Sequence, residues 1–445
     1  MDAESRAEID PQAASGALDQ IGVPGAGGSW LQMVFSSLAV RNFRLFYAGQ
    51  GISLVGTWMR RTAMGWLVYK ITGSTALLGL VMGLATFPMF LLSPLAGSIA
   101  DRVDKRRMII ATQVVAAFAS AAIAALVFLR VITIWELMVL STLSGIAFAF
   151  EVPTRQSFIV EMVGRDKLMN AIALNSGLVN LSRIFGPALA GVVIGTIGMG
   201  FCFTIDAFSY VVVTVTLCLL RLPPFRKPER LASHWTALLE GAREVRKNRR
   251  VRVILLMLFV MGVFGWSFQP LMPAIAQDLL KLGATQYGVL MSMFGIGAIG
   301  GALFVASRKA DSDRRSHVFG GVWIMTAGLF LLALLGSRLG SGRAAFLGVS
   351  GALILAGAGA VTFMSTGNTL IQTSVDDRIR GRIMGIWAVA FGGSIPFGAF
   401  LAGFVAQATS PYLTITGFAG IMLIASLAIY FRLPPRQAHA IVTRN

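Results

Sequence analysis

Gly97-Ser98-Ile99-Ala100-Asp101-Arg102-Val103-Asp104-Lys105-Arg106-Arg107 closes the second apolar stretch of the chain, and a degraded copy returns 212 positions later, where Asp313-Arg314 answers Asp101-Arg102. At that offset Gly83 meets Gly295, Gly186 meets Gly398 and Gly191 meets Gly403. One register over such a length marks an internal duplication. The 445 residues around it are 56% hydrophobic and only 13% charged, the composition of an integral membrane protein. Duplicated halves that rock about a central site are the physical basis of alternating access.

Crossing ~30 Å of hydrocarbon takes about 20 apolar residues. Twelve stretches qualify: 43–69, 75–100, 108–129, 132–152, 169–193, 198–220, 252–276, 286–307, 317–337, 343–370, 382–407 and 411–431. The alternating ten-residue strands of an outer-membrane barrel are absent. A formal charge of +18 raises the question of nucleic acid, and the placement of the Lys and Arg residues answers it. Of 38, 30 fall in the two tails and the even-numbered connections, against Lys70, Arg130, Lys281, Arg338 and Arg343 in the odd-numbered ones. That asymmetry is the positive-inside pattern of an even number of spans with both termini cytoplasmic, and no soluble basic module is left to bind nucleic acid.

Residues 1–40 form a polar cytoplasmic tail without the pattern of a cleaved signal peptide. Its Trp30-Leu31-Gln32-Met33-Val34-Phe35 reads either as an amphipathic turn on the membrane surface or as an unstructured lead-in. Cys202 and Cys218 share one segment, ~24 Å apart on a helix, beyond disulfide reach. His234, His317 and His439 are scattered without ligand spacing, so no metal or other cofactor is expected. A basic linker, 221–250, separates an N-terminal six-helix half (41–220) from a C-terminal one (251–433), and 434–445 is a cytoplasmic tail. The ten basic residues at the linker would lie against anionic headgroups; a solvated linker that also sets topology is the plain reading, and a regulatory or partner site the alternative.

The stretch from Gly97 to Arg107 resembles the loop between helices 2 and 3 of the major facilitator superfamily, and the spans, the duplication and the linker fit that family over nearly the whole chain. Gly56-Thr57-Trp58-Met59, Trp66-Leu67-Val68-Tyr69, Phe150-Glu151-Val152-Pro153-Thr154-Arg155-Gln156 and Ser182-Arg183-Ile184-Phe185-Gly186-Pro187 resemble its drug:proton antiporter group, which includes the enterobactin exporter. The resemblance implies an all-α fold of twelve transmembrane helices in two pseudo-symmetric halves, in the inner membrane.

A small residue at Gly97 lets helices approach closely, and Asp101 at the facing N-terminus of another helix is stabilised by its free amides. Gly97, Asp101, Arg102, Lys105 and Arg106 are therefore a candidate cytoplasmic latch. The resemblance implies a partner at the start of helix 11, where Arg378, Arg380 and Arg382 cluster, and the duplication suggests Asp313 and Arg314 as a weaker copy against helix 5. A basic turn that only sets topology is the alternative. Asp104 departs from the family's frequent Gly; Asp tolerates left-handed backbone better than most residues. In the fifth segment Gly177, Gly186, Pro187 and Gly191 resemble the family's antiporter motif, which implies a close, kinked contact between the halves.

Ionisable groups in a bilayer are functional candidates by default. Gln50, Ser53, Thr57, Arg60 or Arg61, and Met64 recur at three- and four-residue steps, one polar stripe expected to line the cavity, with snorkelling the alternative for the arginines. Arg183 and Asp206 lie at similar depth and are a candidate ion pair. A proton-driven carrier needs an acid whose proton affinity changes with access; Glu151 and Asp206 are the candidates, with an i,i+4 contact to Arg155 as the plain reading of Glu151. Glu136, at the far start of the fourth segment, is a third. The arginine that many superfamily antiporters carry in mid-helix 4 is absent. Trp58, Trp66, Trp266, Gln269, Phe363, Thr366 and Asn368 lie on helices that line the cavity in the superfamily, a set that suits a bulky amphipathic ligand or ordinary aromatic packing.

The sequence thus predicts a monomeric secondary transporter that uses protons and membrane lipids as partners and exports amphipathic small molecules, drug-like or siderophore. An importer or flippase of a siderophore or lysophospholipid, and a non-transporting receptor or assembly partner, are the alternatives. No nucleophile–base pair, metal set or ATP-binding loop points to an enzyme.

Overall fold

The computed structural model describes residues 35–100, 102–164, 166–222, 234–308 and 314–432. The tail with Trp30, as well as Asp101 and Asp313, lies outside the described residues. The side chains of Arg314 and Arg378 also lie outside them.

The described chain is helical. α1 (Arg41–Thr72) turns through Gly73, whose φ of 58° needs glycine, into α2 (Thr75–Leu84). α3 (Phe87–Ala100), α4 (Lys105–Phe128), α5 (Ile134–Val163), α6 (Leu168–Thr196) and α7 (Met199–Cys218) complete the first half. The linker helix α8 (His234–Lys247) leads into α9 (Arg249–Val260) and α10 (Phe268–Ala274), followed by α11 (Ala284–Ala306), α12 (Arg314–Leu339), α13 (Arg343–Thr373), α14 (Asp377–Ala408) and α15 (Pro411–Arg432). Among the described residues, eleven stretches are long and apolar enough to cross a membrane. α1, 32 residues long, is the twelfth long helix and is less apolar than those eleven.

Three boundaries differ from the sequence reading, each for a local reason. The second apolar stretch bends at Ala85-Thr86 between α2 and α3. α5 continues past Pro153 to Val163 because Phe158, Ile159, Met162 and Val163 bury against Phe43 and Phe46 of α1. The seventh stretch carries π-helical turns at Met261–Gly265 and Ile275–Leu279 on either side of α10, with Pro270 and Pro273 between them.

The ends of the bundle are distinct, one carrying the basic connections and the other the short turns. Hydrogen bonds between the halves cluster in the half of the bundle away from the basic end. Tyr69 donates to Asp278, Thr75 Oγ1 to the Gly403 carbonyl at 3.2 Å, Thr285 Oγ1 to the Gly191 carbonyl at 3.2 Å and Ser292 Oγ to the Ile184 carbonyl at 2.6 Å; Gln407 accepts from Ser74 and Thr75. Two glycine crossings sit among them. A Cβ at Gly79 would meet the Ala399 oxygen at 2.4 Å and Gly403 Cα at 2.7 Å. At Gly288 it would meet the Pro187 oxygen at 2.3 Å and Gly191 Cα at 2.7 Å.

These crossings correct the register of the duplication. Ala399 and Gly403 stand 212 residues after Pro187 and Gly191, but Gly288 stands 209 after Gly79. The same pair of offsets recurs at the basic end. There Arg106 Nη2 donates to the Cys218 carbonyl at 2.8 Å and Arg315 Nη2 to the Tyr430 carbonyl at 2.7 Å. By contacts, then, Arg315 is the counterpart of Arg106, and in sequence Asp313 aligns with Asp104 rather than Asp101.

Candidate functional site

The membrane-embedded charges gather in the first half, where α1, α4, α5, α6 and α7 meet. Gly49 and Gly56 of α1 face α7 so closely that a Cβ would fall 2.6 Å from Thr216 Oγ1 and 2.7 Å from Ser209 Oγ. This close seam puts Asp206 against α1. Arg60 Nε stands 3.0 Å from Asp206 Oδ2, with the carboxylate wholly buried, and Ser120 Oγ of α4 donates to the same oxygen at 2.6 Å. Oδ1 has no hydrogen-bond partner. Thr57 and Tyr210 hydroxyls lie 3.3 Å apart beside the pair.

The expected Arg183–Asp206 pair is therefore not formed; Asp206 belongs to Arg60, because the glycine seam brings α1 rather than α6 against α7. Nor do Arg60 and Arg61 snorkel. Arg60 is 9% exposed, and Arg61 lies over the rings of Trp58 and Phe148, each 5.3 Å from Cζ. Arg183 Cζ is 5.4 Å from Trp58. The polar stripe of α1 also needs correction: Gln50 and Ser53 are buried, Gly49 and Gly56 of the same helix meet α7, and Thr57, Trp58 and Arg61 are half-buried.

Glu151 makes the i,i+4 contact with Arg155 at 3.4 Å, and Glu136 caps α5 with Thr133. In the second half Trp266 packs edge-on to Phe294 and Phe391, with Gln269 half-buried nearby on α10. Trp66 stacks on Tyr287 at 5.2 Å. Phe363 and Thr366 are buried in the α13 packing, so they are core residues rather than lining, since Gly321 admits α12 directly against Phe363. Asn368 is half-buried and accepts from Gln372 at 2.6 Å.

The antiporter-like stretch divides three ways. Gly191 and Pro187 lie at the crossing between the halves, whereas Gly186 packs on Trp58 and Val55 within the first half and Gly177 has nothing within 4 Å of an added Cβ. Gly97 is likewise open, so the close helix approach expected there occurs instead at Gly79. Asp104 is not left-handed but extended, at φ −61°, and caps α4 by accepting from the Arg106 and Arg107 amides. Lys105 bonds Glu161 and Arg106 bonds the end of α7, which ties the first half to itself. Arg102 is exposed, Arg380 donates to the Gln372 carbonyl at 2.9 Å, and Arg382 lies beside Gly241 of α8. Ser120 and Tyr210 went unnoticed in the sequence; an oxygen on the neighbouring helices at the depth of Asp206 was the available signal.

Among the described residues no group of three or more His, Cys, Asp or Glu could hold a metal. The family model described as "Transmembrane secretion effector" matches residues 32–445. The staphyloferrin A transporter of Staphylococcus aureus is 24% identical over 87% of this chain and 95% of its own length. The enterobactin exporter EntS of Escherichia coli is 25% identical over 93% and 98%, and the multidrug efflux pump Tap of Mycolicibacterium fortuitum 24% over 86% and 92%. Among solved structures, an inward-facing bacterial homologue of the lysosomal transporter Spinster superposes with a TM-score of 0.69 at 14% identity, covering 88% of this chain and 96% of that one. A bacterial homologue of the iron transporter ferroportin gives 0.70 at 12%, covering 88% and 98%. The chain belongs to the transmembrane secretion effector family of major facilitator transporters, multi-pass inner-membrane proteins that are not enzymes.

Proposed function

We propose that this protein is a proton-coupled exporter of amphipathic organic molecules that crosses the inner membrane twelve times with both termini in the cytoplasm. The 30 to 5 division of basic residues supports that orientation. α1 supplies the twelfth crossing, since 32 residues reach ~48 Å and Arg60 is neutralised inside the bundle. With the basic end cytoplasmic, the hydrogen bonds between the halves join them on the outer side.

The observation that carries the coupling is the wholly buried Asp206 with Arg60 and Ser120 at the junction of three helices. A proton on Asp206 releases Arg60 and removes the charge that holds α1 to α7, so protonation and helix position are linked. Glu151 with Arg155, nearer the basic end, is the second candidate. Siderophore and drug exporters among the relatives support an organic cargo. The protein is expected to act as a monomer, with lipids around it.

Reconstituted liposomes with an imposed pH gradient and a lumenal pH dye test this reading. Proton flux triggered by a compound from a panel of lipophilic cations, macrolides and catecholates, and lost in Asp206→Asn or Glu151→Gln, is the expected result. Transport of the compound with unchanged proton dependence in both variants removes the coupling assignment.

A further inference from the structure

The embedded charges do not balance. The carboxylates of the helices other than those at the basic end are Glu136, Glu151, Asp206 and Asp278, and each is engaged. Glu136 bonds Thr133, Glu151 pairs with Arg155, Asp206 with Arg60, and Asp278 accepts from Tyr69. Against them Arg61 and Arg183 form no ion pair among the described residues. Both instead lie on the same indole, that of Trp58, and Arg183 Nε is buried without a hydrogen-bond partner. Two guanidinium groups within electrostatic reach of each other raise each other's cost in a low-dielectric site, and ring contacts compensate only weakly.

We infer that Arg61 and Arg183, with Trp58 and Phe148, form a subsite for an organic anion, a carboxylate, sulfonate or phenolate carried on an aromatic scaffold. With rings beside each Cζ and no carboxylate to hold them, the guanidinium N–H groups can donate to an oxyanion. A lipophilic cation entering the same space meets two surplus positive charges and only carboxylates that are already paired. This inference narrows the cargo of the proposed exporter and rests on that reading only for the word cargo; the binding preference stands apart from it.

Fluorescein, a dianion at pH 7.5, and rhodamine 123, a cation, share a xanthene ring system and so isolate charge. Their anisotropy is followed on the full-length protein in nanodiscs, with Arg61→Gln and Arg183→Gln variants that elute as the parent does. Fluorescein is expected to bind in preference to rhodamine 123, and each substitution to weaken it ~10- to 100-fold, the size of a lost charge-assisted hydrogen bond. Rhodamine 123 should gain or stay level. Fluorescein anisotropy that stays flat, or that rises no more than that of rhodamine 123 and survives both substitutions, overturns the assignment. Binding is read without a gradient. Proton-linked movement of rhodamine 123 alone would therefore keep the exporter and remove the anion subsite, and charge-selective binding without movement would do the reverse.

Discussion

Asp206→Asn, Arg60→Gln and the two together form a thermodynamic cycle whose outcome the geometry fixes. At 3.0 Å the gross attraction between the two charges is about 5–6 kcal/mol at an effective dielectric of ~20, and desolvation of both ions offsets most of it. The pair as a whole is therefore nearly neutral for stability, whereas removing one member strands the other at a cost of about 3–5 kcal/mol. Each single variant should lower the unfolding midpoint sharply, and the double variant, with no stranded charge, should lose no more than either alone. The coupling is then at least about 3 kcal/mol, at the upper end for contacting residues. Cys202, buried one turn from Asp206, is a built-in reporter: in a Cys218→Ser background, a thiol-reactive dye lights up only when that turn opens. Losses that simply add in the double variant would show that Arg60 and Asp206 act independently and would refute the reasoning.

Gly191→Ala drives a methyl to within 2.8 Å of the Ala284 oxygen and should cost about 1–3 kcal/mol together with transport, while Gly177→Ala, in open space, should leave both within error; midpoints and liposome flux of the pair check this. Thr75→Cys with Gln407→Cys, whose native side chains touch at 3.2 Å, should cross-link under mild oxidation in a background without Cys202 and Cys218 and halt transport until reduced. Ser120→Ala should cost about 1.5–3 kcal/mol, the range for a hydrogen bond to a charged group, measured by the Cys202 dye. Its cost should shrink when made on top of Asp206→Asn.

Hydropathy carried the spans because a bilayer leaves the backbone no partner but itself, so long apolar runs must become helices. It failed where tertiary contacts decide: Pro153 did not stop α5, since Phe158 and Met162 had α1 to bury against. The duplication was visible, but its 212-residue register hid a slip of three at Gly79 and Arg106. Three residues are close to one helical turn, so glycines still fell on the right faces and the misalignment left no trace in the pattern. Asp206 and Arg60 were both legible as costly charges, yet their pairing was not. Counting residues from a loop gives depth in the membrane and says nothing about which neighbour a helix face meets; Gly49 and Gly56 settled that, by admitting α7.

The two halves have also drifted into different chemistries. Phe418 stands 212 residues after Asp206, buried and edge-on to Phe264 at 5.2 Å, in a half whose core around Trp266 and Phe294 is aromatic and uncharged. With the ion pair in one half and ring surface in the other, a substitution among the rings of the second half can alter its packing without touching Arg60 or Asp206, so the two halves are free to vary separately.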